Sequence, residues 1–467
     1  MKSHKSKFVC LLLLLTLFFT GCSRIFPSAP KDNSPVDTAT PTPDTDTNDN
    51  SNTEGTGEPA TNVPIPSINM DDNTAEGPTG GADNSDGSDV TSPVSGNGTV
   101  SQAPTDTPSV TPATVSPTDS SASNNGSKDN DSYEARATEI VSKMTLDEKV
   151  GQMFFVRLKK DSAIKDISDY HLGGYILFGD DFKDETKTSI KKLLNSYQEA
   201  SSIPMLIGVD EEGGPVNRLS KYTAFRSSPF ESPMDLYKKG GFEAIQADTK
   251  EKADLLLSLG INVNLAPVSD VSTNPNDFIY KRAFGKDAKA TANYVKTVVL
   301  EMKQDKIGST LKHFPGYGNN VDTHTGVATD NRKYEQFVKN DFLPFQAGIE
   351  AGADSILVSH NIVTCLDKDH PASLSSAVHD VLRDTLGFEG VIMTDDLSMD
   401  AIKDYTSDEN AAVLAIKAGN DLLIASDFDK QIPAVLDALK KGTIKEERID
   451  ASVIRILVWK LRLGILQ

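Results

Sequence analysis

The segment PMLIGVD, residues 204–210, passes from a proline through an uninterrupted uncharged stretch to a single carboxylate at Asp210. A strand with one face in solvent would alternate apolar and polar side chains, whereas this segment stays apolar to its end. Continuous apolar runs are typical of parallel strands that helices cover on both faces. The segment therefore predicts a buried parallel strand that ends at Asp210.

Seven similar runs occur along the chain, at residues 150–158, 174–179, 261–267, 308–314, 355–360, 390–396 and 421–426. Stretches with a helical apolar repeat lie between them, for example at 287–305 and 409–419. This alternation predicts an α/β fold, a single (β/α)8 TIM-type barrel over residues 133–467 with long insertions. The residues alone leave an open, doubly wound sheet as the alternative. No glycine-rich phosphate loop of the usual spacing opens a helix, which weakens the case for nucleotide binding.

Residues 1–21 have the composition of an export signal. Three lysines precede a nearly unbroken apolar run from Phe8 to Phe19, and small residues come directly before Cys22. This arrangement resembles the cleavage box of bacterial lipoproteins, in which Cys22 would become a lipidated N-terminus anchored in the membrane. An ordinary secretory signal, or a short membrane anchor, is the alternative reading.

Residues 22–132 are rich in Ser, Thr, Pro, Asp, Asn and Gly and nearly lack aromatic side chains. Such a segment cannot bury enough apolar surface to offset chain entropy, so it is predicted to be a disordered tether. Residues 23–132 contain 17 Asp and Glu but only 3 Lys and Arg, so this segment carries −14 of the formal net charge of −20. This acidity argues against nucleic acid as a partner. Cys365, the cysteine left for the barrel, is expected to be a buried apolar residue.

Ionisable residues gather at the ends of the predicted strands, where a (β/α)8 barrel carries its active site. They are Asp210, Asp270, Lys312, His313, His360, Asp395 and Asp396. Capping of neighbouring helices and loops explains Asp270 and Asp396 about as well as function does. The pair Lys312 and His313 fits that explanation poorly, because two such groups in an apolar strand need a ligand or a counter-ion.

The stretch KHFPGYGNNVDTHTG, residues 312–326, adds a possible proton-transfer pair. Asp322 lies two residues from His324, close enough to fix the tautomer of the imidazole and raise its basicity. Histidine titrates near neutrality and can give a proton to a leaving oxygen. Asp395, at the end of a buried run, could act as a nucleophile. Together these groups would suit glycosyl transfer with retention, with His324 in place of the usual carboxylic acid.

Seven motifs occur in the order found in glycoside hydrolase family 3. They are MTLDEKVGQM (144–153), GVDEEGG (208–214), NVNLAPVSDV (262–271), KRAFG (281–285), KHFPGYG (312–318), DTH (322–324) and TDDLSM (394–399). Within that family the chain most closely resembles the bacterial β-N-acetylglucosaminidases, over essentially all of residues 133–467. The resemblance implies that Asp395 is the nucleophile and that His324 with Asp322 is the acid/base pair. It also implies a set of residues that bind the sugar hydroxyls, namely Asp210, Arg218, Arg282, Lys312 and His313.

The chain departs from the family pattern within one loop. Tyr317 stands where the family usually has a second histidine, three residues instead of four precede Asp322, and Thr323 replaces a common serine. Many family members take an acid/base glutamate from a second domain. Residues 448–467 instead predict a last barrel helix, which leaves His324 as the expected proton donor.

The resemblance implies an exo-β-N-acetylglucosaminidase that acts on carbohydrate, with no metal or organic cofactor. The predicted signal, Cys22 and tether would make the protein lipid-anchored and extracytoplasmic, beside the cell wall, so peptidoglycan fragments are the expected substrate. A β-glycosidase of other sugar specificity, or a phosphorylase that uses phosphate in place of water, stays open. So does a catalytically silent wall-binding lipoprotein. A further alternative is metal-dependent hydrolysis at His313, Asp322, His324 and His360.

Overall fold

The computed structural model describes residues 123–320, 328–403, 405–406 and 410–467, with side chains from residue 130 onward except at positions 400 and 403. The predicted signal, Cys22 and most of the predicted tether lie outside these residues. Asp322 and His324 also lie outside them. No helix within the described ranges has both the length and the apolar character needed to cross a membrane.

Ten strands are present in the described residues. In chain order they are β1 Phe154–Arg157, β2 Gly174–Leu177, β3 Leu206–Val209, β4 Val263–Asn264, β5 Gly308–Phe314, β6 Thr329–Asp330, β7 Ser355–Val358, β8 Ile362–Val363, β9 Val391–Thr394 and β10 Leu423–Ala425. Eight of them form one sheet in the order β10-β1-β2-β3-β4-β5-β7-β9, and every pairing between them is parallel. A parallel bridge between Met393 and Leu422 brings β9 next to β10, so the sheet curls into a nearly closed barrel. The predicted (β/α)8 architecture is confirmed, and the doubly wound alternative is wrong.

Thirteen α-helices are described around these strands. They are α1 Ser123–Val141, α2 Leu146–Gln152, α3 Ala163–Tyr170, α4 Lys187–Ala200, α5 Pro233–Leu259, α6 Ala288–Asp305, α7 Tyr334–Gln336, α8 Phe342–Ala351, α9 Ser376–Asp380, α10 Asp400–Lys403, α11 Ala411–Ala418, α12 Phe428–Lys440 and α13 Glu446–Arg462. The predicted helices at 287–305 and 409–419 correspond to α6 and α11, and α13 is the predicted last helix. Helix α1 begins at Ser123, within the range assigned to the tether, and its apolar residues Ala137 and Val141 are buried in the core.

The first predicted strand, 150–158, begins too early. Residues 150–152 belong to α2, which starts with a capping box: Thr145 accepts from the backbone of Glu148, whose carboxylate accepts from the Thr145 backbone at 2.8 Å. Lys149 to Gln152 are all buried. A helix end with every side chain buried and a buried strand have the same apolar pattern, so periodicity cannot separate them.

Phe155 fills the barrel interior between β1 and β3. It lies opposite Gly174 in β2, and a Cβ atom on Gly208 in β3 would come within 2.4 Å of the Phe155 ring. The two glycines thus provide the space that the aromatic ring occupies. Because the interior is filled by side chains such as this one, ligands have access only to the ends of the barrel.

Candidate active site

A pocket of about 290 Å³ opens at the carboxyl ends of the barrel strands. Six of the eight predicted site residues line it: Asp210, Arg218, Arg282, Lys312, His313 and Asp395. They come from the ends of β3, β5 and β9 and from the loops after β3 and β4. The pocket therefore brings together Asp210, Lys312, His313 and Asp395 from the strand-end argument with Arg218 and Arg282 from the family resemblance.

The floor of the pocket is a network of buried ion pairs. The Nζ atom of Lys312 lies 2.6 Å from Asp210 Oδ1 and 2.7 Å from Glu212 Oε1. Arg282 donates two hydrogen bonds to the same glutamate, from Nε at 3.0 Å and from Nη2 at 2.8 Å. Burial by itself would raise the pKa of Glu212, but the charges of Lys312 and Arg282 hold that pKa well below its usual range. The counter-ions that the apolar strand needed are thus supplied by the protein.

Glu212 is one residue that sequence reasoning missed. It follows β3 in the motif GVDEEGG, and its side chain is 3% exposed. Its neighbour Glu211 is also buried but has a different task, since it accepts from the backbone N–H groups of Arg218 and Leu219 at 2.8 and 3.0 Å. Glu211 therefore folds the loop that carries Arg218 back toward the pocket, while Glu212 faces the cations.

His313 is oriented by Asp270. The Nδ1 atom lies 2.8 Å from Asp270 Oδ2, which also accepts from the His313 backbone N–H at 3.1 Å. The other carboxylate oxygen accepts from the Tyr317 backbone at 2.7 Å. With Nδ1 donating to the carboxylate, Nε2 is left as the acceptor for the Arg282 Nη2 group at 3.2 Å. Asp270 thus satisfies loop backbone, as the capping interpretation holds, and also fixes a pocket side chain.

Tyr317, which replaces the family's second histidine, lies behind the pocket wall. It is 1% exposed, and its ring meets the His313 ring edge-on at a centroid distance of 5.1 Å. The Phe278 ring also packs against Tyr317, at a centroid distance of 5.8 Å. The substitution therefore supports His313 from behind.

Asp395 directly follows β9 at the pocket surface. Its Oδ1 accepts from the backbone N–H of Asp396 at 2.8 Å, and its own N–H donates to Val358 at 3.0 Å. Both oxygens of Asp396 accept from the adjacent loops, from Ser398 at 2.9 Å and Ser426 at 2.8 Å. Asp396 therefore stabilises the loops around the nucleophile candidate, as the capping interpretation expected.

Two further pocket residues, Arg157 and Phe178, come from the ends of β1 and β2. Two guanidinium groups lie near the Phe178 ring, with Arg157 at 4.4 Å and Arg218 at 5.4 Å from its centroid. Arg218 also reaches Asp210 at 3.5 Å. Both residues close predicted strands, which is the signal that could have identified them.

His360 is buried, and both of its ring nitrogens contact protein groups. Its Nδ1 lies 2.7 Å from Ser373 Oγ, and its Nε2 lies 3.0 Å from the carbonyl oxygen of Asp396. Within the described part of the chain, no group of three or more His, Cys, Asp or Glu residues could hold a metal ion. His313 and His360 thus give no support to the metal-dependent alternative. Cys365 is only partly buried, and burial raises the pKa of its thiol to about 11.

A parallel (β/α)8 barrel with a charged pocket at the carboxyl ends of its strands has the architecture of the barrel enzymes. The chain belongs to glycosyl hydrolase family 3, because the pattern of the "Glycosyl hydrolase family 3 N terminal domain" matches residues 145–458. The resemblance inferred from the seven motifs is therefore confirmed.

Its relatives include several hexosaminidases. Beta-hexosaminidase A of Pseudoalteromonas piscicida is 30% identical over 327 residues, which span 64% of this chain and 54% of that protein. A beta-hexosaminidase of Tolumonas auensis is 34% identical over 275 residues, spanning 58% of this chain and 80% of that protein. The structure of a family 3 beta-N-acetylglucosaminidase from Paenibacillus shares 32% identity with a TM-score of 0.64, covering 69% of this chain and 63% of that one. The chain thus spans about half the length of the first relative and more of the other two.

Proposed function

We propose that this protein is a retaining exo-β-N-acetylglucosaminidase with Asp395 as its nucleophile. The observation that carries the proposal is the shared pocket, in which Asp395 faces the same space as Asp210, Arg218, Lys312 and the other predicted sugar-binding residues. The names of the hexosaminidase relatives support the acetamido sugar.

The reaction would take place in two displacements at the anomeric carbon. In the first, a carboxylate oxygen of Asp395 forms a bond to that carbon while the glycosidic C–O bond breaks, and protonated His324 transfers its proton to the departing oxygen. Asp322 steadies the imidazolium. In the second, neutral His324 takes a proton from water, the water oxygen bonds to the anomeric carbon and Asp395 is released. Two inversions at one carbon retain the β configuration.

The ion-pair network would hold the sugar without having to rearrange. Lys312 and Arg282 are fixed by Glu212 and present charge-assisted donors, whereas Asp210 presents acceptor oxygens to hydroxyl groups. Donors that are already oriented cost little reorganisation when the substrate arrives. The pocket therefore suits a polyhydroxylated ring.

Hydrolysis of paired chromogenic substrates tests the activity. We expect the β-N-acetylglucosaminide to be cleaved far faster than the β-glucoside, and Asp395→Ala to abolish nearly all turnover. His324→Ala should lower kcat by about 10²–10⁴-fold, the usual contribution of a general acid. Equal turnover by the native protein and both variants would show that the site assignment is wrong. Added inorganic phosphate, with a search for sugar 1-phosphate, separates phosphorolysis from hydrolysis.

We further propose export and lipid anchoring through Cys22, which would place the pocket beside the cell wall and its peptidoglycan fragments. Replacement of Cys22 by serine should move the protein from the membrane fraction to the soluble fraction. The barrel is not involved in the anchor, so the specific activity should stay the same. A variant that remains in the membrane fraction would contradict the anchor.

A further inference from the structure

Arg157 brings a positive charge to the pocket from the end of β1. Two residues earlier in this strand, Phe155 fills the barrel interior against β3, and side chains two positions apart in a strand point to the same face. Arg157 therefore points inward at the carboxyl end of β1, and it lines the same pocket as Asp395. The three residues before it in β1 are buried, whereas Arg157 is exposed. The pocket thus contains a guanidinium group that a ligand can reach.

This guanidinium group differs from the other cations of the pocket in its surroundings. The other Lys and Arg residues of the lining each pair with a carboxylate that follows β3, and they are Arg218, Arg282 and Lys312. Among the residues that the structure describes, none forms an ion pair or a hydrogen bond with the Arg157 guanidinium. The group packs instead against the Phe178 ring, with Cζ 4.4 Å from the centroid.

Packing against a ring leaves the hydrogen-bonding capacity of an arginine unused. The N–H groups lie in the plane of the guanidinium, so an aromatic side chain over its face does not occupy them. The charge of Arg157 acts on Asp181, but the Asp181 carboxylate accepts from the Phe178 backbone N–H at 2.7 Å, and burial keeps the pKa of Asp181 raised. A planar carboxylate from a ligand could accept two N–H groups of Arg157 at once.

The position of Arg157 in the barrel indicates which part of a substrate would meet it. Lys312 and His313 belong to β5, which is four places from β1 in the order of the eight strands, so Arg157 lies on the opposite wall. A terminal N-acetylglucosamine has hydroxyl groups for the network around Lys312 but carries no charge of its own. A substrate anion that pairs with Arg157 therefore belongs to the aglycone, the part that departs when the glycosidic bond breaks.

We propose that Arg157 is a specificity-determining residue that binds a carboxylate on the aglycone. This inference rests on the proposed function, because it takes a neutral N-acetylglucosamine as the other part of the substrate. Arg157 forms no covalent bond and transfers no proton. It makes an acidic glycan fragment a better substrate than a neutral fragment of the same size.

Paired aryl glycosides test this selection. The 3-carboxyphenyl and 3-carbamoylphenyl N-acetyl-β-glucosaminides have nearly the same size and differ by one charge, and the 4-substituted pair places the same groups at a second position. In at least one pair, Arg157→Gln should lower kcat/KM for the carboxylate substrate about tenfold more than for the carbamoyl substrate, the usual effect of a hydrogen bond to a charged group.

Two further measurements separate this role from a structural one. Arg157→Lys keeps the charge without the planar donors, so it should retain part of the native preference for the carboxylate substrate. Added salt screens the attraction between exposed charges. Raising the ionic strength should therefore reduce the preference of the native protein and leave the ratio of Arg157→Gln nearly constant.

Lys159→Gln is the matched control. Lys159 follows β1 in the same segment, carries the same charge and also lies over an aromatic ring, 4.5 Å from the centroid of Phe428. It pairs with Asp429 at 3.7 Å, and the pocket lining does not include it. This variant should leave the ratio of kcat/KM between the charged and neutral substrates unchanged.

The inference and the proposed function fail in different ways. If Arg157→Gln leaves the ratio unchanged in both pairs, or lowers kcat/KM equally for charged and neutral substrates, Arg157 does not select the aglycone and the inference is wrong. An equal change of the ratio in Lys159→Gln contradicts it as well, because the general charge of the segment would then be the cause. If the native protein cleaves none of the four glycosides, the proposed function fails and this inference fails with it.

Discussion

At the scale of single residues, Glu212 determines how the pocket presents its cations. It is the shared partner of Lys312 and Arg282, and each of these cations otherwise faces a low-dielectric interior. Lys312 keeps Asp210 as a second partner, whereas within the described residues the ion pair of Arg282 is with Glu212. We infer that the glutamate serves substrate binding by holding both donors at fixed positions.

Glu212→Gln should therefore weaken binding of N-acetylglucosamine by about tenfold, because two charge-assisted contacts lose their anion. It should also lower the free energy of unfolding by about 3–5 kcal/mol, the usual cost of breaking a buried ion pair. Inhibition by the free sugar measures the first effect, and denaturant unfolding the second.

A comparable variant away from the pocket is Asp421→Asn, which weakens the buried pair between Asp421 and Arg383. It should destabilise the fold without changing the inhibition constant. If Glu212→Gln lowers stability but binds the sugar as the native protein does, Glu212 has no part in orienting the donors.

The sequence predicted the position of a pocket residue correctly where that position follows from the geometry of parallel strands alone. Asp210, Lys312 and Asp395 end or follow apolar runs, and parallel strands place such residues on one rim. Glu212 was missed because two adjacent glutamates in GVDEEGG cannot be told apart until the loop after β3 is folded. The structure then shows that Glu211 accepts backbone N–H groups while its neighbour turns to the cations.

At the scale of elements, the eight buried strands were predictable because helices cover them and their side chains are uniformly apolar. The error at residues 150–152 has the same origin, since the end of α2 is buried as completely as β1. How neighbouring strands fit together inside the barrel depends on the sizes of their side chains, which a pattern of apolar and polar residues does not show. Gly174 and Gly208 mark the places where the ring of Phe155 needs room.

Gly208→Ala tests this packing between β1 and β3. The added methyl group would meet the Phe155 ring at 2.4 Å, so we expect a loss of about 1–3 kcal/mol in the free energy of unfolding. Phe155→Leu replaces the ring by a smaller side chain and should itself destabilise the core. In the double variant the two effects should offset each other in part, with a coupling of about 0.5–3 kcal/mol measured by denaturant unfolding. Purely additive effects would show that the ring and the glycine do not share this space.

At the scale of the whole molecule, a buried lysine joins the last helix to the beginning of the barrel. Lys460 in α13 donates to the side-chain oxygen of Gln152 at 2.7 Å and to the carbonyl oxygen of Gly173, next to β2, at 3.0 Å. Both partners are neutral, and burial lowers the pKa of Lys460 to about 7. The contact joins residues that are nearly 300 positions apart in the chain, at 173 and 460. Sequence patterns predicted the helix but gave no sign of this buried cation.

This lysine makes global stability depend on pH in a predictable direction. In the unfolded chain the pKa of a lysine is about 10.4, so between about pH 7 and 10 the unfolded state binds more protons than the folded state. The free energy of unfolding of the native protein should therefore rise with pH over this window, by on the order of 4 kcal/mol relative to Lys460→Met, and this advantage should be lost as the pH falls through about 7.

Denaturant unfolding at several pH values measures the difference. Lys149→Met is the control. Lys149 is also buried, but it pairs with Glu446 and Asp450, which raise its pKa, so that variant should keep the native slope. If Lys460→Met also keeps the slope, Lys460 retains its charge in the folded barrel near neutral pH.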